Sequence, residues 1–277
     1  MKKICILFVV FWAIACSKNE PVQDIFIKNA QNETLYVHID GAENASHHRL
    51  ALLQHGLASN MEHVAIQSAK KAFLDKGYVV VTFDSRYSLG KSDGEVENVR
   101  LSTFVEDLKT VVDWAKQQKF YAEPFALAGH SLGGASVISY AAEYPQQVSY
   151  LIPITPVISG DSWEKTCMKY MPDFCKHWKE TGTYEYKTEE KTSVIPYRLV
   201  EDTKSYNALM LAPKLQANTL LISAGEDIVI DKEDIRTLSE NISSSHQNVT
   251  VATSGHNFEH EQNQTDLYQA IFDFIEK

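Results

Sequence analysis

One stretch constrains this chain more than any other: Phe125-Ala-Leu-Ala-Gly-His-Ser131-Leu-Gly-Gly-Ala-Ser136. An apolar run of strand type enters a Gly-x-Ser-x-Gly turn, and small residues of helical type follow it. The glycines flanking the serine remove side chains that would collide where strand and helix come together. The spacing therefore predicts a strand, a sharp turn that lifts the Ser131 hydroxyl above a sheet edge, and a helix. The same five residues would also fit a plain glycine-rich turn. Reading Ser131 as a nucleophile requires three companions in chain order: backbone donors for an oxyanion, an acid after the serine, and a histidine after the acid.

Each companion is present. A serine hydroxyl is a poor nucleophile at neutral pH, so it needs an imidazole base, whose tautomer a buried carboxylate must fix. Asp227 lies in Gly225-Glu-Asp-Ile-Val-Ile230, after the apolar strand Asn218–Ala224, and is preferred to its neighbours Glu226 and Asp231 because an anchoring apolar pair follows it. His256, in Ser254-Gly-His-Asn-Phe258, falls between the last strand and the last helix; His260 is the alternative in a more polar stretch. The oxyanion donors expected are the N–H groups of Leu132, directly after the nucleophile, and of Leu57, after His55-Gly56.

The remaining pattern supplies a frame for these residues. Ile25–Ile27 and Leu35–Ile39 alternate as a hairpin. Leu50–Leu53, Val79–Phe83, Val148–Ile154 and Asn218–Ala224 are continuous apolar runs, as expected of strands covered on both faces, and Asn248–Ala252 adds another. Helical spacing covers 61–76, 102–118, 131–144, 235–243 and 264–276. Alternating strands and helices specify one α/β domain over 24–277, with a mostly parallel sheet of about eight strands clad on both faces. Residues 157–213 interrupt the alternation. They are rich in aromatics and weak in periodicity, which predicts a functional insertion, a lid.

His55-Gly56, Gly129-His-Ser-Leu-Gly133, Gly225-Glu-Asp227 and Gly255-His256 together resemble the α/β-hydrolase superfamily over nearly everything after residue 24. The loop from Phe83 to Asn98 is similar to that of serine-aminopeptidase-like (S33-type) hydrolases and cinnamoyl or feruloyl esterases, although Tyr87 and Ser88 precede Gly90 where those have a further glycine. The resemblance implies a Ser-His-Asp serine hydrolase acting on a small-molecule acyl substrate, a carboxylic ester first and a peptide or thioester next. It also implies that the insertion shapes substrate choice. A protein that keeps the fold and only binds would be expected to have lost one of the three side chains.

Met1-Lys-Lys3 and the apolar run Ile4–Ala15 form an export signal too short to span a bilayer. Ala13-Ile-Ala-Cys16 resembles the lipobox of bacterial lipoproteins, which implies lipidation of Cys16, a tether over 17–23, and attachment to a membrane of the cell envelope. Cleavage after Ala15 without a lipid is the alternative. In that oxidising setting Cys167 and Cys175 could be bridged or could be two buried thiols. The formal net charge of -10, with no basic run, argues against nucleic acid as a partner. No metal motif, nucleotide fingerprint or P-loop is present, so no cofactor is expected.

Overall fold

A computed structural model describes residues 24–42, 49–187 and 192–275. The export signal, Cys16 and the 17–23 tether lie outside those residues. The chain begins with an antiparallel hairpin, β1 (Asp24–Lys28) and β2 (Thr34–Asp40), closed by a turn in which Asn29 accepts from the Gln31 and Glu33 amides and Asn32 takes a left-handed φ of 64°. There follow β3 (Leu50–Gln54), α1 (Val64–Asp75), β4 (Val79–Phe83), α2 (Leu101–Ala115), β5 (Phe125–His130), α3 (Leu132–Glu143) and β6 (Val148–Ile154). The insertion runs through α4 (Gly160–Tyr170), α5 (Pro172–Thr181), the hairpin β7 (Thr183–Lys187) and β8 (Thr192–Pro196), α6 (Arg198–Thr203) and α7 (Ala208–Leu211). β9 (Asn218–Ala224), α8 (Lys232–Glu240), β10 (His246–Val251) and α9 (Glu261–Phe274) complete the fold.

The central sheet has eight strands in the order β1-β2-β4-β3-β5-β6-β9-β10. It is parallel from β4 to β10, and β1 and β2 run antiparallel at one edge. Strand alternation explains why the runs read as continuously apolar: Leu50, Leu52, Val81, Phe125 and Leu127 pack on the α2–α3 face, while Ala51, Leu53, Val80, Ala126 and Ala128 pack on the α1–α9 face. The sheet therefore separates two cores.

The insertion departs from its sequence reading, because its weak periodicity conceals, among the described residues, four α-helices and a β-hairpin. Its helices are short and bury only a few residues each, as in α5, where Cys175 and Trp178 are the buried ones. Such elements are too short to build a lasting periodic stripe. Pro172 opens α5 and Gly182, at φ 77°, closes it. Trp178 anchors the unit by donating its indole N–H to the Ile195 carbonyl at 3.0 Å. Its ring also meets Trp163, Tyr184 and Tyr197 edge to face.

Candidate active site

The turn after β5 holds Ser131 at φ 55° and ψ -114°, a conformation that L-residues avoid and that costs about 1–3 kcal/mol. Two glycines make it possible. A Cβ on Gly129 would come within 2.3 Å of the Gly133 carbonyl oxygen, and one on Gly133 within 2.3 Å of the His55 oxygen. The Ser131 amide is held by the Ile154 carbonyl on β6, and its own carbonyl accepts from Ala135 and Val157. The strained residue is thus fixed on three sides by backbone.

Asp227 and His256 reach it from the ends of β9 and β10, neighbouring parallel strands that deliver both loops to the same sheet edge. The Asp227 carboxylate is 7% exposed as a residue; one oxygen accepts the Val229 and Ile230 amides at 2.7 and 2.9 Å, and the other accepts His256 Nδ1 at 2.8 Å. That bond places the imidazole proton on Nδ1 and leaves Nε2 as the acceptor. His256 Nε2 lies 3.0 Å from Ser131 Oγ. The structure therefore brings the three side chains named from sequence into one line of hydrogen bonds. Their neighbours do other work: Glu226 is exposed, Asp231 caps α8 and pairs with Lys169 at 2.7 Å, and His260 is the exposed N-cap of α9.

His55 is fully buried, accepts the Ser85 amide on Nε2 at 2.9 Å, and donates from Nδ1 to the Gly56 carbonyl at 2.7 Å. Because a trans peptide sets its C=O and N–H on opposite sides, that bond turns the Leu57 N–H away from the His55 ring, and Gly56 itself packs against Ser131 and His130. Neither that amide nor the Leu132 amide has a hydrogen-bond acceptor among the described residues.

Above the serine lies a cavity of about 710 Å³, within the size range of small-molecule sites. Trp163, Phe174, Trp178, Tyr184 and Tyr186 of the insertion form one wall, and Asn60, Glu62, His63, Asn257 and Glu259 the polar rim. Of the insertion's other tyrosines, Tyr197 and Tyr206 are buried in packing and Tyr170 is exposed.

The bridge left open for the cysteine pair is not formed. Cys167 and Cys175 are free buried thiols on successive helices, the latter 4.0 Å from the Glu164 carbonyl. Burial and the adjacent Cys175 thiol push the Cys167 thiol well above the usual range, so it stays protonated.

Three groups around the site were not singled out from sequence. Asp84, 2% exposed, accepts the Met61 and Lys91 amides at 2.9 and 2.7 Å and ties the loop after β3 to the loop after β4. Arg86 forms a buried pair with Asp107 of α2 and fixes the second of those loops. His63 and His130 stack with ring centroids 4.6 Å apart, and His130 lies 4.9 Å from the His256 ring. The histidine at the variable position of the elbow pattern was the available signal for the last group.

A family profile described as serine aminopeptidase, S33 (Hydrolase_4) matches residues 45–208, more than half of the chain. The chain belongs to this family. Est1E from Butyrivibrio proteoclasticus, in a structure with ferulic acid bound, superposes with a TM-score of 0.73 at 20% identity, over 90% of this chain and 97% of that one. That likeness establishes the α/β-hydrolase fold. In sequence the chain is 26% identical over 228 residues to a protein of Escherichia coli described as an "uncharacterized 31.7 kDa protein in traX-finO intergenic region", covering 71% of this chain and 79% of that one. It is 31% identical over 160 residues to rat (Rattus norvegicus) monoglyceride lipase, covering 56% of this chain and 50% of the lipase. The chain is thus an α/β hydrolase with esterase- and lipase-like relatives.

Proposed function

We propose that this α/β hydrolase is a serine esterase in which Ser131, His256 and Asp227 act as a catalytic triad. The observation that carries the reading is the continuous line of hydrogen bonds from Asp227 through His256 to Ser131 at the floor of an aromatic-walled cavity. Ser131 Oγ attacks the acyl carbon while its proton passes to His256 Nε2, and Asp227 stabilises the imidazolium. The Leu57 and Leu132 amides receive the oxyanion, each contributing about 3 kcal/mol of transition-state stabilisation. His256 then protonates the departing alcohol, and water repeats the sequence on the acyl-enzyme to release the acid.

The insertion acts as a lid whose aromatic wall receives the acyl half, which favours an apolar or aromatic acid over acetate. The ferulic acid in the Est1E structure and the lipase relatives support acids of those two kinds. The test is labelling by a fluorophosphonate probe, abolished in Ser131→Ala, followed by a panel of acetyl, long-chain acyl and hydroxycinnamoyl esters beside acyl thioesters and aminoacyl amides. Ester turnover with a preference for the larger acids supports the reading. Preferential cleavage of the amides or thioesters would reassign the same triad, and a folded protein that never labels would be a binding protein.

We also propose that residues 1–16 direct export and that Cys16 carries the lipid. Detergent-phase partitioning that is lost in Cys16→Ala checks this.

A further inference from the structure

His130 is buried on every side, yet only half of its ring is used. Nε2 lies 2.9 Å from the main-chain carbonyl of His256, while Nδ1, facing the backbone of Gly56, has no partner among the described residues. A bare lone pair in a buried position costs on the order of 1–3 kcal/mol, so an apolar side chain here would make a more stable elbow. What the imidazole supplies, and an apolar residue would not, is the N–H held against the loop that carries the base.

Apart from the His256 side chain's own bond to Asp227, the loop is tied by the Glu226 amide to the Ser254 carbonyl at 2.9 Å, and beyond Ser254 its main chain is held more loosely. Around His256, the Ser254 amide bonds back to Val251, the Phe258 amide reaches Gly255 only at 3.4 Å, and Gly255 has open space where a side chain would stand. The second imidazole backs the first. His63 accepts the Ala65 amide on Nδ1 at 3.3 Å, capping α1, and its ring stacks on His130 at 4.6 Å between centroids. Phe258, fully buried, closes against the edge of His130.

Resting on the triad reading above, we propose that His130 and His63 are positioning residues: a stacked pair of neutral imidazoles in which His130 holds the backbone of His256 and His63 backs its ring, so keeping Nε2 of His256 aimed at Ser131 while its ring gains and loses a proton. Neutrality leaves Nδ1 of His63 able to accept the Ala65 amide and spares His130 a buried N–H with no acceptor, and burial supplies it. Desolvation holds His130 well below the usual histidine range and His63 down to about 4, with the neighbouring imidazoles adding to the effect. The groups facing the pair are His55 and His256. Near-attack geometry is sensitive enough that a displacement of about 1 Å can cost a hundredfold in rate.

The experiment uses the whole protein and three variants. His130→Leu keeps the bulk and removes the donor; His130→Gln returns a donor at the same number of bonds from the backbone. His63→Asn keeps an acceptor to cap α1 but removes the ring stacked on His130. Readouts are the rate of fluorophosphonate labelling, kcat and KM for the best ester of the panel, and the melting midpoint. Expected are a loss in kcat and in labelling rate of about 10- to 100-fold for His130→Leu with KM within about twofold, recovery to within about fivefold in His130→Gln, and a loss of about threefold to tenfold in a fully folded His63→Asn. Wild-type labelling rates in both His130→Leu and His63→Asn overturn the proposal. So does a loss in His130→Leu that follows the melting midpoint and is not recovered by glutamine. Should His130→Leu not fold, His130→Gln and His63→Asn decide on the same measures. Failure of the triad reading itself is separate: wild-type protein would then not label at all.

Discussion

The two regions that meet over Ser131 are built by different means. At the sheet edge, the groups are fixed by bonds to main chain: the serine by Ile154, Ala135 and Val157, the aspartate by two amides, and the Gly56 carbonyl by the buried His55 ring. In the insertion, the wall is held by edge-to-face aromatic packing around Trp178 and by half-buried ion pairs such as Lys204–Glu164. Backbone bonds set distances to tenths of an ångström, whereas ring packing tolerates replacement by another shape of similar volume. On the proposed reading the difference separates chemistry from choice of substrate: the wall can be rebuilt while the line from Asp227 to Ser131 stays as it is.

The largest effect should come from the edge. Ser131→Ala and His256→Ala are each expected to lower kcat by about 10⁴-fold or more, and Asp227→Asn by a similar order, with little change in melting midpoint because all three side chains sit at a loop end of the sheet. Stopped assays on purified variants check the rate and calorimetry the stability. A variant lacking Ser131 that retained even a hundredth of the activity would detach the chemistry from this edge.

The same division governs what could be read from sequence. The convergence of Ser131, Asp227 and His256 was legible because a parallel sheet delivers its loops to one edge, so their order in the chain fixes their meeting place. The sheet was legible because Leu50–Leu53 or Val79–Phe83 need two apolar faces at once. The internal order of the insertion was not, since α5 buries only two residues of its ten and leaves no periodic stripe. His63 and His130 were missed for another reason. Their meaning lies in a stacking contact between positions far apart in the chain, and no local pattern encodes it.

A wall residue should affect substrate choice before it affects chemistry. Trp178→Ala removes the ring that Trp163, Phe174, Tyr184 and Tyr197 all touch and is expected to cost about 3–5 kcal/mol of stability. Trp178→Phe keeps most of the volume and loses the bond to Ile195, a cost of roughly 1 kcal/mol. In Trp178→Phe, KM for large acyl esters should rise severalfold while kcat for an acetyl ester stays within about twofold. An equal fall in kcat for both esters would mean that the wall also sets the geometry of the triad, and the contrast would fail.

Acid should find the edge before the wall. His63 has a pKa of about 4 in the folded protein against the ordinary 6.5, lowered first by desolvation, and His55 and His130 shift in the same direction. An unfolded chain takes up these protons as pH falls below about 6.5, and the folded one refuses them until near 4. Stability is therefore complete above that window and declines through it, by roughly 3 kcal/mol for His63 alone at about 1.4 kcal/mol per pH unit. Denaturant midpoints between pH 7 and pH 4 should fall in the wild type and fall less steeply in His63→Asn. Parallel slopes in the two proteins would remove His63 from the account.

The smallest effect belongs to the thiols, and its smallness is the informative part. Cys167 lines the cavity wall, but burial and the adjoining Cys175 keep its proton on, and the thiol rather than the thiolate reacts slowly. Two free thiols are expected on titration with an aromatic disulfide reagent, reacting only once the protein is unfolded. Dithiothreitol should leave the melting midpoint within about a degree, since removing a real bridge typically costs 2–5 kcal/mol and so lowers that midpoint by several degrees. A drop of that size on reduction would show covalent stapling between α4 and α5. The wall would then share the rigidity of the edge, and substitutions such as Trp178→Phe would be felt at Ser131.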